Sequence, residues 1–265
     1  MLYSKNGLVV YDSILDDFHK NMHLDYAFDA DTNANYTVLR IYKNKIDGTK
    51  QYPFVRSPGL MSSLELSALE NWQVIINAGI FIMETSGQPA DGVVIQNGIV
   101  VNNLPATYHV GAMPLTIDAD GNLSYAEADA TGSALVSNGI VSAVCGFCPI
   151  ITNYTPTSSF PTIEHITHFT QNAQRQIIGQ WGNGDYAILT CEGRNFDHSD
   201  GWTLAEAQVI CQKLGLKFAY NLDGGGSTQT VIYKKQINTI YEGTTGRKVP
   251  TFIVFNGGAS YAVPA

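Results

Sequence analysis

Short apolar runs separated by glycine-containing turns dominate the chain after about residue 72. Asn97-Gly98, Asp120-Gly121 and Asn138-Gly139 each lie between runs in which apolar residues alternate. Such pairs accept positive φ at both central positions of a two-residue hairpin. The same pattern extends from Arg175 to Cys191, where Gly182-Asn183-Gly184 interrupts it. We therefore predict a series of antiparallel hairpins.

One segment has a helical pattern instead. Thr203-Leu204-Ala205-Glu206 has the form of a capping box, in which the Thr203 hydroxyl accepts from the Glu206 amide and Glu206 reaches back. The apolar positions that follow lie on one helical face, and they are Leu204, Ala207, Ile210, Cys211 and Leu214. Gly215 is a typical C-terminal stop. The helix should lead directly into a strand over 218–222.

The first 70 residues have a pattern of their own. Strands are predicted over 36–42 and 51–55, and Asp47-Gly48 marks the turn between them. A short helix is predicted over 61–71, with Ser62 or Ser63 as its N-cap. We interpret 1–70 as an N-terminal extension or docking segment and 71–265 as the main domain. The fold class is α+β, with a mostly antiparallel, twisted or barrel-like sheet and a few helices.

The most informative local motif is Asn-Leu-Asp-Gly-Gly-Gly-Ser-Thr at 221–228. Three consecutive glycines are unfavourable within a strand or helix, but they allow positive φ and close approach of the backbone to a ligand. With apolar β-type residues on both sides, the motif predicts strand, tight polar loop, strand. The loop would direct backbone N–H groups at an anion, with Asp223 at its mouth. The alternatives are a ligand-free turn or an Asx-type turn that Asp223 closes itself.

Composition narrows the function class. The chain has 265 residues, of which 14% are charged, and its net charge is −8. An acidic protein with this balance is not typical of a nucleic-acid binder, which would carry a basic face. The sequence has no apolar run long enough for a membrane span, and its N-terminus is not a convincing signal peptide. Location stays open, with an extracellular or virion surface suspected.

The cysteines and histidines are not spaced in the sequence as metal ligands would be. The four cysteines are too few for a disulfide scaffold, and Cys145-Gly146-Phe147-Cys148 follows a strand rather than opening a helix. Two buried thiols are favoured over a redox pair. We interpret His165 and His168 as structural or solvated. His198 is a better candidate because it follows Arg194 in a polar loop.

The chain resembles the phosphodiester glycosidase family from about residue 72 to 256. The motifs that carry the resemblance are the glycine loop at 221–228, Val74–Phe81, the Gly-hairpin at 91–98, Gln174–Gly179, Cys191–Arg194, the Gly201–Leu204 element with its helix to Gly215, and Arg247–Val249. Ala78 stands where the family has glycine, and Glu192 stands where it usually has aspartate. Gly246 precedes the last arginine, where an acid is often found.

The resemblance implies hydrolysis of a sugar-1-phosphodiester, such as a GlcNAc-1-phosphodiester or a cell-wall polymer. Such chemistry usually needs two carboxylates. Asp223 is the first candidate, and Glu192 and Asp197 compete for the second role. The predicted substrate-binding residues are Asn77, Arg175, Arg194, His198, Gly224, Gly225, Gly226, Ser227, Thr228 and Arg247, the arginines because their planar fork suits a phosphate. No cofactor is predicted, although a divalent cation beside Asp223 stays an alternative.

Two other functions remain open. The chain could be a non-catalytic phosphoglycan-binding module of a phage tail or cell-surface assembly, as the low charge and the departures at Ala78 and Glu192 suggest. It could also be a structural assembly component that docks through 1–70. The expected partners are therefore a glycan phosphodiester and, in the last two cases, other copies or virion proteins.

Overall fold

Three antiparallel sheets form the body of the protein in a computed structural model that describes residues 20–45, 48–195 and 198–255. The largest sheet has seven strands in the order β1-β2-β13-β12-β14-β10-β11. Its strands are β1 (Met22–Asp29), β2 (Ala34–Ile41), β10 (Cys148–Thr152), β11 (Thr155–Pro156), β12 (Arg175–Gln180), β13 (Tyr186–Cys191) and β14 (Phe218–Asn221). Every pairing in it is antiparallel.

Two five-stranded sheets complete the body. One has the order β16-β15-β4-β17-β3 and contains β3 (Pro53–Arg56), β4 (Val74–Asn77), β15 (Thr230–Ile232), β16 (Lys235–Gln236) and β17 (Phe252–Phe255). The other has the order β6-β5-β9-β7-β8 and contains β5 (Val94–Gln96), β6 (Ile99–Asn102), β7 (Pro114–Asp118), β8 (Leu123–Tyr125) and β9 (Ile140–Cys145).

The three sheets share one core. Alternate side chains point to opposite faces of a strand, so each sheet contributes one apolar face. Ile178 of the large sheet, Ile76 of the second and Leu115 of the third belong to the same fully buried cluster. The sheets therefore surround a common interior without closing into a single barrel.

Each outer face is covered by one short helix. These helices are α1 (Ser63–Leu69), α2 (Gly132–Ser137) and α3 (Leu204–Lys213). Leu66 of α1 packs on the second sheet, Leu135 of α2 on the third, and Ile210 of α3 on the large one. The described helices are all far shorter and less uniformly apolar than a bilayer-spanning helix needs to be.

Most of the local predictions agree with these elements. The α+β class is confirmed, since antiparallel sheets predominate and the helices are few. Both hydrogen bonds of the capping box between Thr203 and Glu206 are present, and Ser62 and Glu65 form a second capping box at the start of α1. The hairpin at Asn97-Gly98 joins β5 to β6, and that at Asp120-Gly121 joins β7 to β8.

The hairpin prediction at Asn138-Gly139 is wrong. Asn138 is the C-cap of α2, and Gly139 follows at φ 83°. The same dipeptide suits both uses, because a glycine with positive φ also ends helices. The run before it, 132–137, contains no proline and begins after Thr131, whose hydroxyl caps the helix.

The described residues before residue 70 form strands of the same sheets as the rest of the described chain. β2 pairs with β13, and β3 pairs with β17. Leu39 and Val55 both lie in the shared core. The boundary that we predicted at residue 70 therefore does not separate two sheets.

The glycine loop crosses from one sheet to another. β14 belongs to the large sheet, and β15, which follows the loop, belongs to the second. Asp223 and the three glycines of this loop line the cavity described below.

Candidate functional site

A cavity of about 370 Å³ opens beside the glycine loop. This volume lies within the range of small-molecule sites. Asp223 and the three glycines form one side, and Arg175 and Arg194 line the cavity with them. The remaining lining residues lie in the loops after β4, between β6 and β7, between β9 and β10, between β11 and β12, and between β16 and β17.

Asp223 is held at the edge of the cavity by its neighbours in the chain and by β4. Its amide donates to Ala78 O at 3.0 Å, and its carbonyl accepts from Asn77 Nδ2 at 2.7 Å. Asn77 Oδ1 accepts in turn from the Gln229 amide at 2.9 Å. Asn77 is fully buried, so its side chain joins the two ends of the glycine loop and does not line the cavity.

Burial raises the pKa of Asp223 to about 6, because a charged carboxylate is less stable out of water. A hydrogen bond from Ser227, the charge of Arg247 and the Gly224 amide at 2.9 Å all oppose this rise. The carboxylate is therefore ionised at neutral pH but titrates close to it. A group with such a pKa can exchange protons with a substrate at ordinary pH.

The loop amides are mostly occupied within the protein. Gly224 donates to Asp223 Oδ1, Gly225 to Gln174 O at 2.9 Å, and Ser227 and Thr228 donate back into their own 3₁₀ turn. The loop therefore does not present the row of free amides that its sequence suggested. Asp223 bonds to the amide of the next residue, Gly224, and still lines the cavity.

The glycines are needed for a different reason, which is the position of two arginines. A Cβ added to Gly225 would lie 2.9 Å from Arg194 Nη2, and one added to Gly226 would lie 2.6 Å from Arg247 Nη2. Gly225 also has φ 56°, which disfavours other residues. Both guanidinium groups line the cavity. The positive charge at the loop thus comes from side chains.

Arg175 also lines the cavity, but its hydrogen bonds are structural. Its Nε donates to Trp202 O at 2.8 Å, and its Nη2 donates to His168 O and Gln171 O at 2.7 and 2.8 Å. Burial lowers its pKa to about 10, so it stays charged at neutral pH. No carboxylate of the described residues forms an ion pair with it. Arg175 both fixes the 168–171 wall and leaves positive charge beside the cavity.

Asp91 and His109 form a buried pair that the sequence did not indicate. His109 Nδ1 lies 2.9 Å from Asp91 Oδ2, and the carboxylate also accepts from the amides of Thr107, Tyr108 and His109. Burial alone would raise the pKa of Asp91, but the hydrogen bonds from His109 and these amides lower it to about 2.

An ionised Asp91 only accepts, so it holds the proton of His109 on Nδ1. The other ring nitrogen, Nε2, is left for the cavity that His109 lines. The sequence showed Asp91 only as part of an Asp-Gly turn, and the two partners, 18 positions apart, share no periodic signal. Only the fold brings the two together.

Two more histidines line the cavity, although we expected them to be structural or solvated. His165 stacks on Tyr108 with ring centroids 4.1 Å apart, and its backbone has φ 60°. Burial, together with Arg175, Arg194 and His109, lowers the pKa of His168. His168 is therefore neutral at neutral pH and acts in the cavity as a polar, uncharged group.

One wall of the cavity is apolar. It is formed by Ile80, Phe81, Phe147, Ile166 and Phe169. Phe147 and Phe169 meet edge to face at 5.7 Å, which fixes their rings. The cavity is therefore lined both by charged side chains at the glycine loop and by these apolar side chains.

The other predicted site residues lie elsewhere. Glu192 does not line the cavity; its Oε1 accepts from the Thr239 amide at 2.8 Å. His198 is exposed and does not line the cavity either. Asp197 lies outside the described residues. Ser227 and Thr228 are buried behind the glycines, with Ser227 Oγ 3.5 Å from Arg247 Nη1.

The described cysteines are buried thiols. Burial raises the pKa of Cys148 to about 12 and that of Cys145 still further, so neither is a ready nucleophile. Within the described ranges no three histidine, cysteine, aspartate or glutamate side chains are grouped as metal ligands would be. Asp223 has guanidinium groups, rather than other carboxylates, beside it.

The sequence match to a known family covers this whole site. Residues 70–256 match the model of the phosphodiester glycosidase family. Every residue that lines the cavity falls inside this range. The match thus covers more than half of the chain and begins just where the family-like motifs begin.

A sequence relative comes from a prophage. The chain is 25% identical over 261 residues to the SPbeta prophage-derived uncharacterized protein YomE of Bacillus subtilis (strain 168). The alignment covers 91% of this chain but 39% of that protein. The chain therefore spans well under half the length of this relative.

Solved structures share the fold. The catalytic domain of zebrafish N-acetylglucosamine-1-phosphodiester alpha-N-acetylglucosaminidase, auto-inhibited by its pro-peptide, superposes with a TM-score of 0.69 at 16% identity, covering 90% of this chain and 83% of that one. A hypothetical protein from Synechocystis gives 0.61 at 15% identity, covering 89% and 62%. At these identities the likeness shows the fold alone.

Proposed function

The chain belongs to the phosphodiester glycosidase family, and from this premise we propose that it hydrolyses a sugar-1-phosphodiester. Water attacks the anomeric carbon, and the bond from that carbon to the phosphate oxygen breaks. The oxygen leaves with the electron pair, so the products are a free sugar and a phosphomonoester. The proton released by the water passes to a base in the site.

Asp223 is the carboxylate that faces the reacting carbon. With a pKa of about 6, it is ionised at neutral pH and can stabilise positive charge on the sugar or take the proton of water. A phosphate is a good leaving group, so the reaction does not require a strong general acid. Glu192 is not needed for this role, and it lies outside the cavity.

His109 is the second proton-transfer group. Asp91 orients its ring through Nδ1, which is the arrangement that prepares a histidine to accept a proton at Nε2. His109 and Asp223 both line the cavity, so the two groups face the same space. Water can therefore lie between a carboxylate and an oriented imidazole.

The two sides of the cavity would hold the two parts of the substrate. Arg194 and Arg247, above the glycine loop, suit the phosphate oxygens. The apolar wall with Phe81 and Phe147 suits the face of the sugar ring. The observation that carries the proposal is this union in one cavity of a titratable carboxylate, two guanidinium groups and a carboxylate-bound histidine.

Turnover of UDP-GlcNAc and a panel of glycan-1-phosphodiesters tests the proposal. Asp223→Asn should lower kcat/KM by about a thousandfold or more, since proton-transfer groups contribute about 10²–10⁴. Arg194→Ala should raise KM. Arg175→Ala is a poorer choice, because it would also release three backbone carbonyls. Asp25→Asn, on the exposed face of β1, serves as the matched control.

A binding module without turnover is the second candidate, and the prophage relative is the observation that favours it. In that case the cavity would grip a phosphorylated glycan of a cell surface. Saturable binding of such a glycan by wild-type protein, with no hydrolysis across the whole panel, would replace the enzymatic proposal with this one.

A further inference from the structure

The two arginines above the glycine loop are neighbours. Arg194 lies over Gly225 and Arg247 over Gly226, and the Cα atoms of adjacent residues are about 3.8 Å apart. Both guanidinium groups line the cavity beside Asp223. They therefore form one anion subsite, which we call the arginine pair.

Two residues shortly before Arg247 in the chain make different contacts with the two arginines. The ring of Tyr241 lies 4.8 Å from the Arg194 guanidinium carbon, a cation–π contact that supports the side chain and leaves its charge in place. Glu242 Oε2, in contrast, accepts from Arg247 Nε at 2.7 Å and offsets its charge. Tyr241 and Glu242 are consecutive residues, so one short segment contacts both arginines.

Glu242 accepts a hydrogen bond from only one edge of the Arg247 guanidinium group. The other edge makes long contacts, from Nη1 to Ser227 Oγ at 3.5 Å and to Met83 Sδ at 3.9 Å. That edge stays available to a phosphate oxygen in the cavity. Arg194 has no carboxylate within ion-pair distance among the described residues. The arginine pair with Glu242 thus offers two donor groups but a net charge near +1.

A net charge near +1 matches one phosphate species better than another. A phosphodiester carries one negative charge, whereas a phosphomonoester carries nearly two at neutral pH, since its second pKa is about 6. Among the described residues, the acids that line the cavity are Asp223 and the exposed Glu84, and both repel additional negative charge. The proposed reaction converts a diester into a monoester, so the charge of the bound phosphate rises as the product forms.

We propose that Glu242, through its ion pair with Arg247, makes the arginine pair selective for singly charged phosphodiesters and speeds release of the doubly charged monoester product. This inference rests on the proposed function for its biological meaning. Its physical content, a preference between two phosphate charges, does not depend on turnover.

The test compares two small anions that differ by one charge. Dimethyl phosphate and methyl phosphate are titrated at pH 7.5 and low ionic strength, with ³¹P NMR shifts giving Kd for wild type and Glu242→Gln. Glutamine keeps the shape and an acceptor oxygen, and Glu242 is exposed, so the variant should fold normally. Losing the competing charge should lower Kd for methyl phosphate about fivefold and that for dimethyl phosphate less than about twofold.

Glu84→Gln is the matched control. It removes the same charge from the cavity wall, but Glu84 forms no ion pair with Arg247. An effect in Glu242→Gln clearly larger than in Glu84→Gln supports the pair-specific mechanism. Equal shifts for both anions, equal shifts in both variants, or no saturable binding of either anion would overturn it. If the anion preference changes as expected while no diester is hydrolysed, the proposed function fails and this inference stands.

Discussion

Two polar regions meet at the glycine loop, and they differ in how their groups are paired. In the core below the loop, the Thr190 and Thr230 hydroxyls are 2.7 Å apart and both bond to Gln176. Asn238 donates to the carbonyls of Thr228 and Thr239. These four side chains bond to one another or to the backbone.

The cavity above the loop is different. Asp223 is half-buried and its pKa is raised, and Arg194 lines the cavity without an ion pair to any described carboxylate. Groups that satisfy one another hold a structure together, whereas charges left without partners are available to a ligand. Sequence types alone do not separate the two regions, since both contain amides, hydroxyls and acids.

The sharpest test of this contrast is Asp223→Asn, which should lose activity while gaining stability. The pKa of Asp223 is higher in the folded chain than in the unfolded one, so ionisation destabilises the fold as pH rises through about 4 to 6. Asparagine removes that cost. We therefore expect the free energy of unfolding in urea at pH 7 to be on the order of 1 kcal/mol higher for the variant than for wild type. Below about pH 4 the gain should disappear. A destabilised variant at pH 7 would contradict the assignment of a strained, functional carboxylate.

In the wild-type protein, kcat should fall as pH decreases below about 6, because Asp223 acts in its ionised form. Rates measured from pH 4.5 to 8 with a single diester check this. A rate that rises on acidification through the same interval would mean that Asp223 acts as an acid.

His109→Gln should lower kcat by about a hundredfold or more, within the range of proton-transfer groups. His165→Gln is the matched control, because His165 lines the same cavity and stacks on Tyr108, but no carboxylate in the described ranges pairs with its ring. A much smaller effect is expected there. Comparable losses in both variants would show that cavity shape, and not the Asp91–His109 pair, matters.

Asp91→Asn should weaken the protein by about 2 kcal/mol at pH 7, since the folded pKa of about 2 lies below the ordinary value. The stability that Asp91 contributes is fully present above about pH 4 and is lost as pH falls to about 2. The free energies of unfolding of wild type and variant should therefore converge in acid. Thermal unfolding from pH 2 to 7 gives the comparison, and a constant difference across this range would refute it.

Thr190→Val tests the polar region in the core, as the variants above test the cavity. It keeps the shape but leaves the Gln176 amide and Thr230 with one partner fewer, at a cost of about 1–2 kcal/mol. We expect kcat and KM to stay close to wild type, as measured alongside urea unfolding. A large loss of activity would show that the two polar regions are coupled.

Local motifs predicted much of the fold. The capping boxes at Ser62 and Thr203 and the hairpin from β12 to β13 depend on residues a few positions apart, so sequence patterns reveal them. Asn138-Gly139 shows the limit, because one dipeptide can serve a hairpin or a helix end. The division into three sheets was not predicted, since it depends on pairings such as β2 with β13.

Of the site, the sequence by itself determined the glycine loop, Asp223 and the arginines, because residue type and family resemblance mark them at single positions. Tertiary structure decided the rest. It joined Asp91 to His109, brought His165 and His168 to the cavity, and placed Asn77 and Glu192 outside it. The physical reason is that these roles depend on distances between segments far apart in the chain, and those distances are set only when the three sheets pack around their common core.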